Sequence, residues 1–220
     1  SLLSLALTWI IAFPVGIYSA THQYSPFDHI FTFLSFVGVS MPGFLLALIA
    51  VWFLYKFTGH AVIGVFSLEY LNQPWSFAKL MDMMKNIWLP VIVVGMAGTA
   101  SLVRVIRAMM LDEIRKLYVT TARAKGLPEY KVLVKYPLRV AVSPTISSIG
   151  WLFPSLVSGE SVVGIVLNLQ TIGPLLLSAS LAQDMYLAGS IVLILGTLTV
   201  IGMFISDLLL AWLDPRVRYG

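Results

Sequence analysis

The stretch YVTTARAKGLPEYKVLVKYPLRVAVSPT, residues 118–145, is a charged, turn-forming segment set between two apolar runs, and the rest of the sequence is organised around it. Four residues there and just upstream recur at helical spacing with charged residues between them: Leu111, Ile114, Tyr118 and Thr121. This spacing predicts a short amphipathic helix. Gly126 predicts the end of that helix, because glycine accepts the left-handed backbone that a Cβ atom disfavours.

Pro128 suits the first turn of a second short helix, which is expected to run through Val132, Leu133 and Tyr136. The segment therefore predicts two short helices that meet at a glycine. Such a pair, carrying many cations, is typical of a loop on which another protein docks. An ordinary basic loop that binds anionic lipid headgroups is the simpler alternative.

The composition independently indicates an integral membrane protein. Of the 220 residues, 59% are apolar and 11% are charged, whereas soluble domains contain about 45–50% apolar residues. The net charge of +4 does not by itself indicate a nucleic-acid partner. The positions of the cations along the chain are more informative than their sum. The chain has no cysteine, which excludes a disulfide framework, thiolate catalysis and a thiolate metal site.

Five apolar runs are long enough to cross a hydrocarbon core of about 30 Å, and they cover residues 1–20, 30–55, 87–103, 140–159 and 185–213. The third run is short, so Arg104 and Arg107 are expected to snorkel at its end. Pro42 and Gly43 lie near the middle of the second run, where they predict either a packing kink or a bend that lines a pathway. An all-helical membrane protein with five spans follows from this pattern.

Two further segments are expected to lie outside the spans. Residues 56–86 form a polar connection whose amphipathic part, residues 77–84, should lie along an interface. The apolar but interrupted residues 160–183 are expected to complete a span and to form a re-entrant or outer loop.

The distribution of cations predicts which side faces the cytoplasm. Residues 104–139 hold nine of the fourteen Lys and Arg residues, and Arg216 and Arg218 bring the total near this face to eleven. Residues 104–139 and the C-terminus are therefore predicted to be cytoplasmic. With five spans, Ser1 would lie outside.

Catalytic chemistry finds little support in the sequence. His22, His29 and His60 do not have the spacing of a metal site, and the sequence contains neither a G-x-S-x-G elbow nor a G-x4-G-K-[ST] phosphate loop. Glu160 and Asp207 are the carboxylates nearest the bilayer; they are either interfacial anchors or functional groups, and Glu160 is a candidate gate residue together with Pro42 and Gly43. No catalytic residue, cofactor or metal is predicted, and an ATPase would have to be another polypeptide.

The segments TTARAKGL and KYPLRVAVSPTIS also resemble a known motif. They are similar to the cytoplasmic coupling loop, the EAA motif, of permease subunits of binding-protein-dependent ABC importers, in the oligopeptide and dipeptide branch. The matching positions are the small-residue pair Thr121 and Ala122, Gly126, and Pro144 before the next span, although Thr121 replaces the acidic first residue of the general motif. The ending DPRVRYG and the order of apolar segments extend the resemblance over nearly the whole chain. The resemblance implies an ATPase-coupling site at Thr121, Ala122, Arg123, Ala124, Lys125, Gly126, Leu127 and Pro144.

The same resemblance implies an architecture and a set of partners. Residues 1–220 would form a permease domain of the methionine-importer-like fold, with residues 111–139 as its coupling loop and without the first N-terminal span of the family's usual six. The expected function is import of dipeptides or oligopeptides across the membrane of a prokaryotic cell. The expected partners are two cytoplasmic ATPase subunits, a second homologous permease or a copy of this chain, an outer solute-binding protein and membrane lipid. An ion-coupled secondary transporter or a channel is the alternative.

Overall fold

A computed structural model describes residues 2–59, 64–158 and 161–213, and all the regular structure in these ranges is helical. His60, Glu160 and the predicted cytoplasmic tail from residue 214 lie outside the described residues. One 3-10 turn, Leu68–Tyr70, accompanies the following α-helices: α1 (Leu2–Thr21), α2 (Pro26–Ser40), α3 (Gly43–Thr58), α4 (Phe77–Asn86), α5 (Trp88–Ile114), α6 (Leu117–Ala124), α7 (Glu129–Lys135), α8 (Pro137–Ala141), α9 (Ser143–Ser147), α10 (Ile149–Ser158), α11 (Ser161–Val166), α12 (Ile172–Leu181) and α13 (Met185–Leu213).

Three helices of the described chain, α1, α5 and α13, are individually long and apolar enough to cross a membrane. Helices α2 and α3 meet the same criterion only when they are taken together as one broken span, which raises the number to four. The predicted all-helical membrane class is confirmed at this level, and the first and last predicted runs coincide with α1 and α13. The count of five spans stays a prediction.

The third run extends further than the sequence predicted. Helix α5 continues eleven residues past Val103 to Ile114, so Arg104 and Arg107 lie inside the helix rather than at its end. Arg107 binds an internal carboxylate, Asp28, which neutralises its charge inside the helix. Snorkelling of Arg104 and Arg107 at the end of the span stays a prediction.

The run at residues 140–159 is not one unbroken helix. It is divided among α8, α9 and α10, with single residues, Val142 and Ser148, between them. Pro144 occupies the first turn of α9 and Pro154 lies inside α10. Proline has no N–H to donate to the preceding turn, and this interrupts the helical hydrogen bonding that the apolar pattern predicts.

The described residues form two compact units, and α1, α5 and α13 contribute to both. The first unit contains residues 2–7, 40–97 and 154–198, and its core joins α3, α5 and α11 through Ala47, Leu89, Val93, Val163 and Leu167. The second unit contains residues 8–39, 98–153 and 199–213, and its largest core cluster consists of Ala20, Ile106, Met110 and Ala141.

Close approach of α1 and α5 depends on one glycine in the second unit. A Cβ atom at Gly16 would lie 2.9 Å from the Cβ of Ile106, and Ile106 is fully buried. Small residues allow two membrane helices to pack at this distance. The packing role of Gly16 is a finding of the structure.

Helix α4 in the first unit has its polar side inside. Lys79 and Asp82 are 7% and 9% exposed, whereas the apolar residues of the opposite face are all exposed: Phe77, Leu80, Met81 and Met84. The Lys79 ammonium donates to the Gln73 carbonyl at 2.6 Å, and Asp82 accepts from the Ser67 backbone N–H at 2.7 Å. An outward apolar face supports the prediction that this segment lies along an interface.

Candidate functional site

The predicted docking loop consists of α6 and α7, which follow directly from α5 in the second unit. Two non-helical residues, Arg115 and Lys116, separate α5 from α6. Leu111 and Ile114 therefore belong to the last turn of α5, and the single amphipathic helix predicted from Leu111 onward was wrong in its start. The two-residue break also changes the helical phase, so that Val119 and Ala122 are buried while Tyr118 and Thr121 are exposed.

A small hydrophobic cluster holds α6 against α7. Val119 and Val132 are fully buried and Ala122 is 4% exposed, and Leu127 and Tyr136 pack against them. Burying these side chains provides the main stabilisation available to two helices of eight and seven residues, because isolated helices of this length are unstable in water. Ala122, a predicted motif residue, is thus a packing residue of the loop.

Gly126 has the left-handed backbone that the sequence predicted, with φ of +75°. Its N–H donates to the Arg123 carbonyl at 2.9 Å, and Pro128 caps the start of α7 two residues later. No atom lies within 4 Å of the position that a Cβ would take at Gly126. The position is therefore constrained by its backbone, and it faces open space on the loop surface.

An ion pair spans the turn between the two helices. Arg123 contacts Glu129 with its Nη2 at 2.7 Å and its Nε at 3.1 Å. The hydrogen bond from Arg123 lowers the pKa of Glu129, and the bond to Glu129 raises the pKa of Arg123. Both side chains are largely exposed, so the pair orients the turn more than it stabilises the fold.

Glu113 connects the end of α5 to α6. It is 4% exposed, and it accepts hydrogen bonds from the Lys116 ammonium and the Tyr118 hydroxyl. One carboxylate therefore joins the last turn of α5, the break and the first turn of α6. This contact makes the loop an extension of α5 rather than a free connection.

The remaining predicted residues do not all gather at one place. Thr121, Arg123, Ala124, Lys125 and Leu127 lie on α6 or in the turn, and Thr121 donates to the Leu117 carbonyl at 2.9 Å. Pro144 belongs to α9, outside the loop itself. Pro42 caps the start of α3 and Gly43 is its first residue, in the first unit.

An ion pair with a buried carboxylate lies in the second unit, and it was not predicted from the sequence. Arg107 donates from Nε to Asp28 Oδ1 at 2.9 Å and from Nη2 to Asp28 Oδ2 at 3.0 Å. Asp28 is 2% exposed; it also accepts from the Ser19 hydroxyl and from the Tyr24 backbone N–H, the latter at 3.0 Å. The pair fixes the corner between α1 and α2 to α5.

Two signals in the sequence could have indicated this cluster. Ser25 and Asp28 have the spacing of a capping box, and the Ser25 hydroxyl accepts from the Asp28 N–H at 3.1 Å. A carboxylate next to an apolar run also requires a partner. The sequence alone does not say which of the cations is that partner.

Comparison with known proteins identifies the family of this chain. The chain belongs to the family of inner membrane components of binding-protein-dependent transport systems, whose sequence model matches residues 12–219. The chain is thus a multi-pass transport component of an inner membrane.

Particular relatives are permease proteins of peptide transport systems. The chain is 34% identical over 218 residues to the oligopeptide transport system permease protein AppB of Bacillus subtilis, and the alignment covers 99% of this chain and 67% of AppB. It is 29% identical to the oligopeptide transport system permease protein OppB of Haemophilus influenzae, with 99% of this chain and 67% of the relative covered. It is also 29% identical to OppB of Escherichia coli K12, with 97% of this chain and 65% of the relative covered. The chain spans about two thirds of the length of these relatives.

These comparisons confirm the predicted resemblance to peptide-importer permeases. They give no support to the alternative of an ion-coupled secondary transporter or a channel. The relatives are named as transport permeases rather than as enzymes.

Proposed function

We propose that this chain is the membrane-spanning permease subunit of an ATP-driven importer of dipeptides or oligopeptides. The observation that carries the proposal is the α6–α7 loop, in which two short helices pack on their own apolar cluster and continue directly from α5. The names of the relatives support peptides as the cargo.

In this function the α6–α7 loop binds a cytoplasmic ATPase subunit and acts as a rigid lever. The loop can transmit force because Glu113 ties its first helix to α5 and the Val119–Ala122–Val132 cluster ties its two helices together. The Asp28–Arg107 pair extends the rigid body to the corner between α1 and α2. Closure of the ATPase would then re-aim these helices together between inward- and outward-facing states.

The assembly would contain two ATPase subunits, an outer solute-binding protein and a second permease that is either a homologue or a copy of this chain. Each permease would contribute the methionine-importer-like fold, with five spans in residues 1–220. Helices α8 to α10 support the predicted span at residues 140–159, because they continue through residues 137–158 with single-residue interruptions. Lipid would cover the exposed apolar side chains of α13, among them Leu193, Val200 and Phe204.

The proposed orientation places the α6–α7 loop in the cytoplasm. Three cations of this region are paired with carboxylates, namely Arg107, Lys116 and Arg123. The pairing does not weaken the argument, because the positive-inside rule depends on Lys and Arg and hardly on acidic residues.

The test is uptake of a labelled oligopeptide by the complete complex in proteoliposomes. Uptake should require ATP on the side of the α6–α7 loop and the solute-binding protein on the other side. A proton or sodium gradient without ATP should drive none. Uptake driven by an ion gradient alone would contradict the proposal and favour the secondary-transporter alternative.

A further inference from the structure

A groove lies between α2 and α5 within the second unit. Its volume is about 490 Å³; apolar side chains supply most of its lining, and its polar residues are Thr32, Ser35, Ser101, Arg104 and Arg107. Ionisable side chains on the helices of a membrane-spanning chain usually face the interior of a bundle or a water-filled path. The groove therefore offers guanidinium and hydroxyl groups to a solute between partly apolar walls.

The two arginines of the groove differ in what they can still bind. The Arg107 guanidinium is occupied by both carboxylate oxygens of Asp28. Arg104 forms no ion pair with any carboxylate of the described residues, and its guanidinium lies 4.8 Å from the centre of the Phe36 ring. Stacking on an aromatic ring holds a guanidinium in place and leaves its edge, with the N–H donors, free.

Each wall of the groove also supplies one serine hydroxyl group, from Ser35 on α2 and from Ser101 on α5. Ser35 is 5% exposed, and Ser101 lies three residues before Arg104 in the chain. Neither side chain has a hydrogen-bond partner within the part of the chain that the structure describes. Both hydroxyl groups are therefore available to donate to an anion bound in the groove.

We infer that this groove binds the C-terminal carboxylate of a peptide in transit, with Arg104 as the cation; this rests on the proposed function. A carboxylate matches the guanidinium fork with two parallel hydrogen bonds. The terminal carboxylate is also the one anionic group that every unmodified peptide carries, whatever its sequence. A site that contacts this carboxylate can bind peptides of different sequence, because the contact does not depend on their side chains.

The first experiment compares two peptides of one sequence, one with a free C-terminus and one with a C-terminal carboxamide, in proteoliposomes containing the complete complex. For each peptide, the uptake rate of a variant is divided by that of the wild type, so that any preference of the solute-binding protein cancels. Arg104→Gln should lower the ratio for the free acid by about tenfold relative to the carboxamide. Arg104→Lys should give an intermediate loss, and Lys85→Gln, a change of an exposed cation on α4, should leave both ratios unchanged.

A second experiment does not depend on delivery by the solute-binding protein. Binding of the two peptides is measured on the complex in nanodiscs of zwitterionic lipid. The wild type should bind the free acid more tightly, and Arg104→Gln should bind both peptides equally. A wild type without preference for the free acid overturns the inference.

Three further results would distinguish a failure of the carboxylate site from a failure of the proposed function. Equal loss of uptake for both peptides in Arg104→Gln, with an intact complex, also contradicts the carboxylate site. If that equal loss appears only in vesicles rich in anionic phospholipid, Arg104 contacts a lipid headgroup instead. A wild-type complex that takes up neither peptide with ATP contradicts the proposed function itself.

Discussion

Arg107 on α5 and Asp28 at the start of α2, 79 positions apart in the sequence, form a two-point ion pair in the second unit, with distances of 2.9 and 3.0 Å between their nitrogen and oxygen atoms. The Asp28 carboxylate is nearly inaccessible, and Ser19 of α1, which is fully buried, also donates to it. Three helices thus meet at one carboxylate. Five donor groups satisfy it: the Arg107 Nε and Nη2, the Ser19 and Thr32 hydroxyls and the Tyr24 N–H. Such satisfaction is the condition under which a buried charge is tolerated.

The first prediction follows from this pair. Asp28→Asn removes the charge that compensates Arg107, and it should destabilise the protein by about 2–3 kcal/mol, below the range for a fully buried pair, because Arg107 is 26% exposed. Thermal unfolding of the purified complex measures the loss.

A double-mutant cycle provides the control for that prediction. Adding Arg107→Gln to Asp28→Asn should recover part of the lost stability, because no uncompensated charge remains. Strictly additive losses in the two single variants and the double variant would show that the pair does not act as a unit.

The second prediction concerns Asp82 in the connection before α5. Burial raises the pKa of this carboxyl, but hydrogen bonds from the Ser67 hydroxyl and N–H outweigh burial, so the pKa lies below its usual value. A lowered pKa in the folded state contributes stability above the unfolded value, and this contribution is lost as the pH falls below about 4. The protection factor of the Ser67 amide, which is the ratio of the intrinsic to the observed hydrogen-exchange rate, should fall in that range.

Asp82→Asn supplies the comparison, since it removes the titrating group. The variant should show a lower protection factor at Ser67 already at pH 7, with little further change in that factor on acidification. If the wild type and the variant have the same pH dependence, another group controls the connection.

The third prediction concerns sidedness. The chain has no native cysteine, so single cysteines at Lys125 and Asn72 can be labelled in intact cells with a membrane-impermeant thiol reagent. Asn72→Cys should react and Lys125→Cys should react only after the membrane is permeabilised. The reverse pattern would place the α6–α7 loop outside and remove the basis for ATPase docking.

The fourth prediction concerns the division of labour between subunits. The sequence has no phosphate loop, and the chain purified alone should neither bind nor hydrolyse ATP. Both activities should appear when the partner ATPase subunits are co-expressed. Nucleotide binding to the isolated, carefully purified chain would contradict the proposed assembly.

Much of the architecture could be predicted from local properties of the sequence. Apolar length alone located α1 and α13, and the conformational freedom of glycine located the turn at Gly126. These predictions succeeded because each depends on a few neighbouring residues. The break at Arg115 and Lys116 has no such local signal, and it changed which residues of α6 are buried.

Tertiary pairing accounts for the rest. Nothing local distinguishes Arg107, which binds Asp28, from Arg104, which stacks on Phe36, although both follow the same apolar run. Helix α5 continues past Arg107, whose charge is cancelled by a residue from a different helix. The close packing of Gly16 on Ile106 depends likewise on how two helices meet.

The most direct test of ATPase coupling through the α6–α7 loop is peptide uptake, measured together with co-purification of the ATPase subunit, in Gly126→Arg. Any side chain at the positive φ of Gly126 costs about 1 kcal/mol, and the open space around that position lets the variant fold. The arginine would then occupy the surface against which the partner packs. Gly126→Ala, which adds the backbone strain with little bulk, and Lys131→Ala, which removes an exposed charge of the same loop, are the matched controls.

The account predicts that Gly126→Arg inserts at wild-type abundance, loses the ATPase subunit and fails to take up peptide. Gly126→Ala should lose less, and Lys131→Ala should behave like the wild type. Normal uptake and normal co-purification in Gly126→Arg at wild-type abundance would contradict coupling through this loop and would favour a basic loop that binds lipid headgroups.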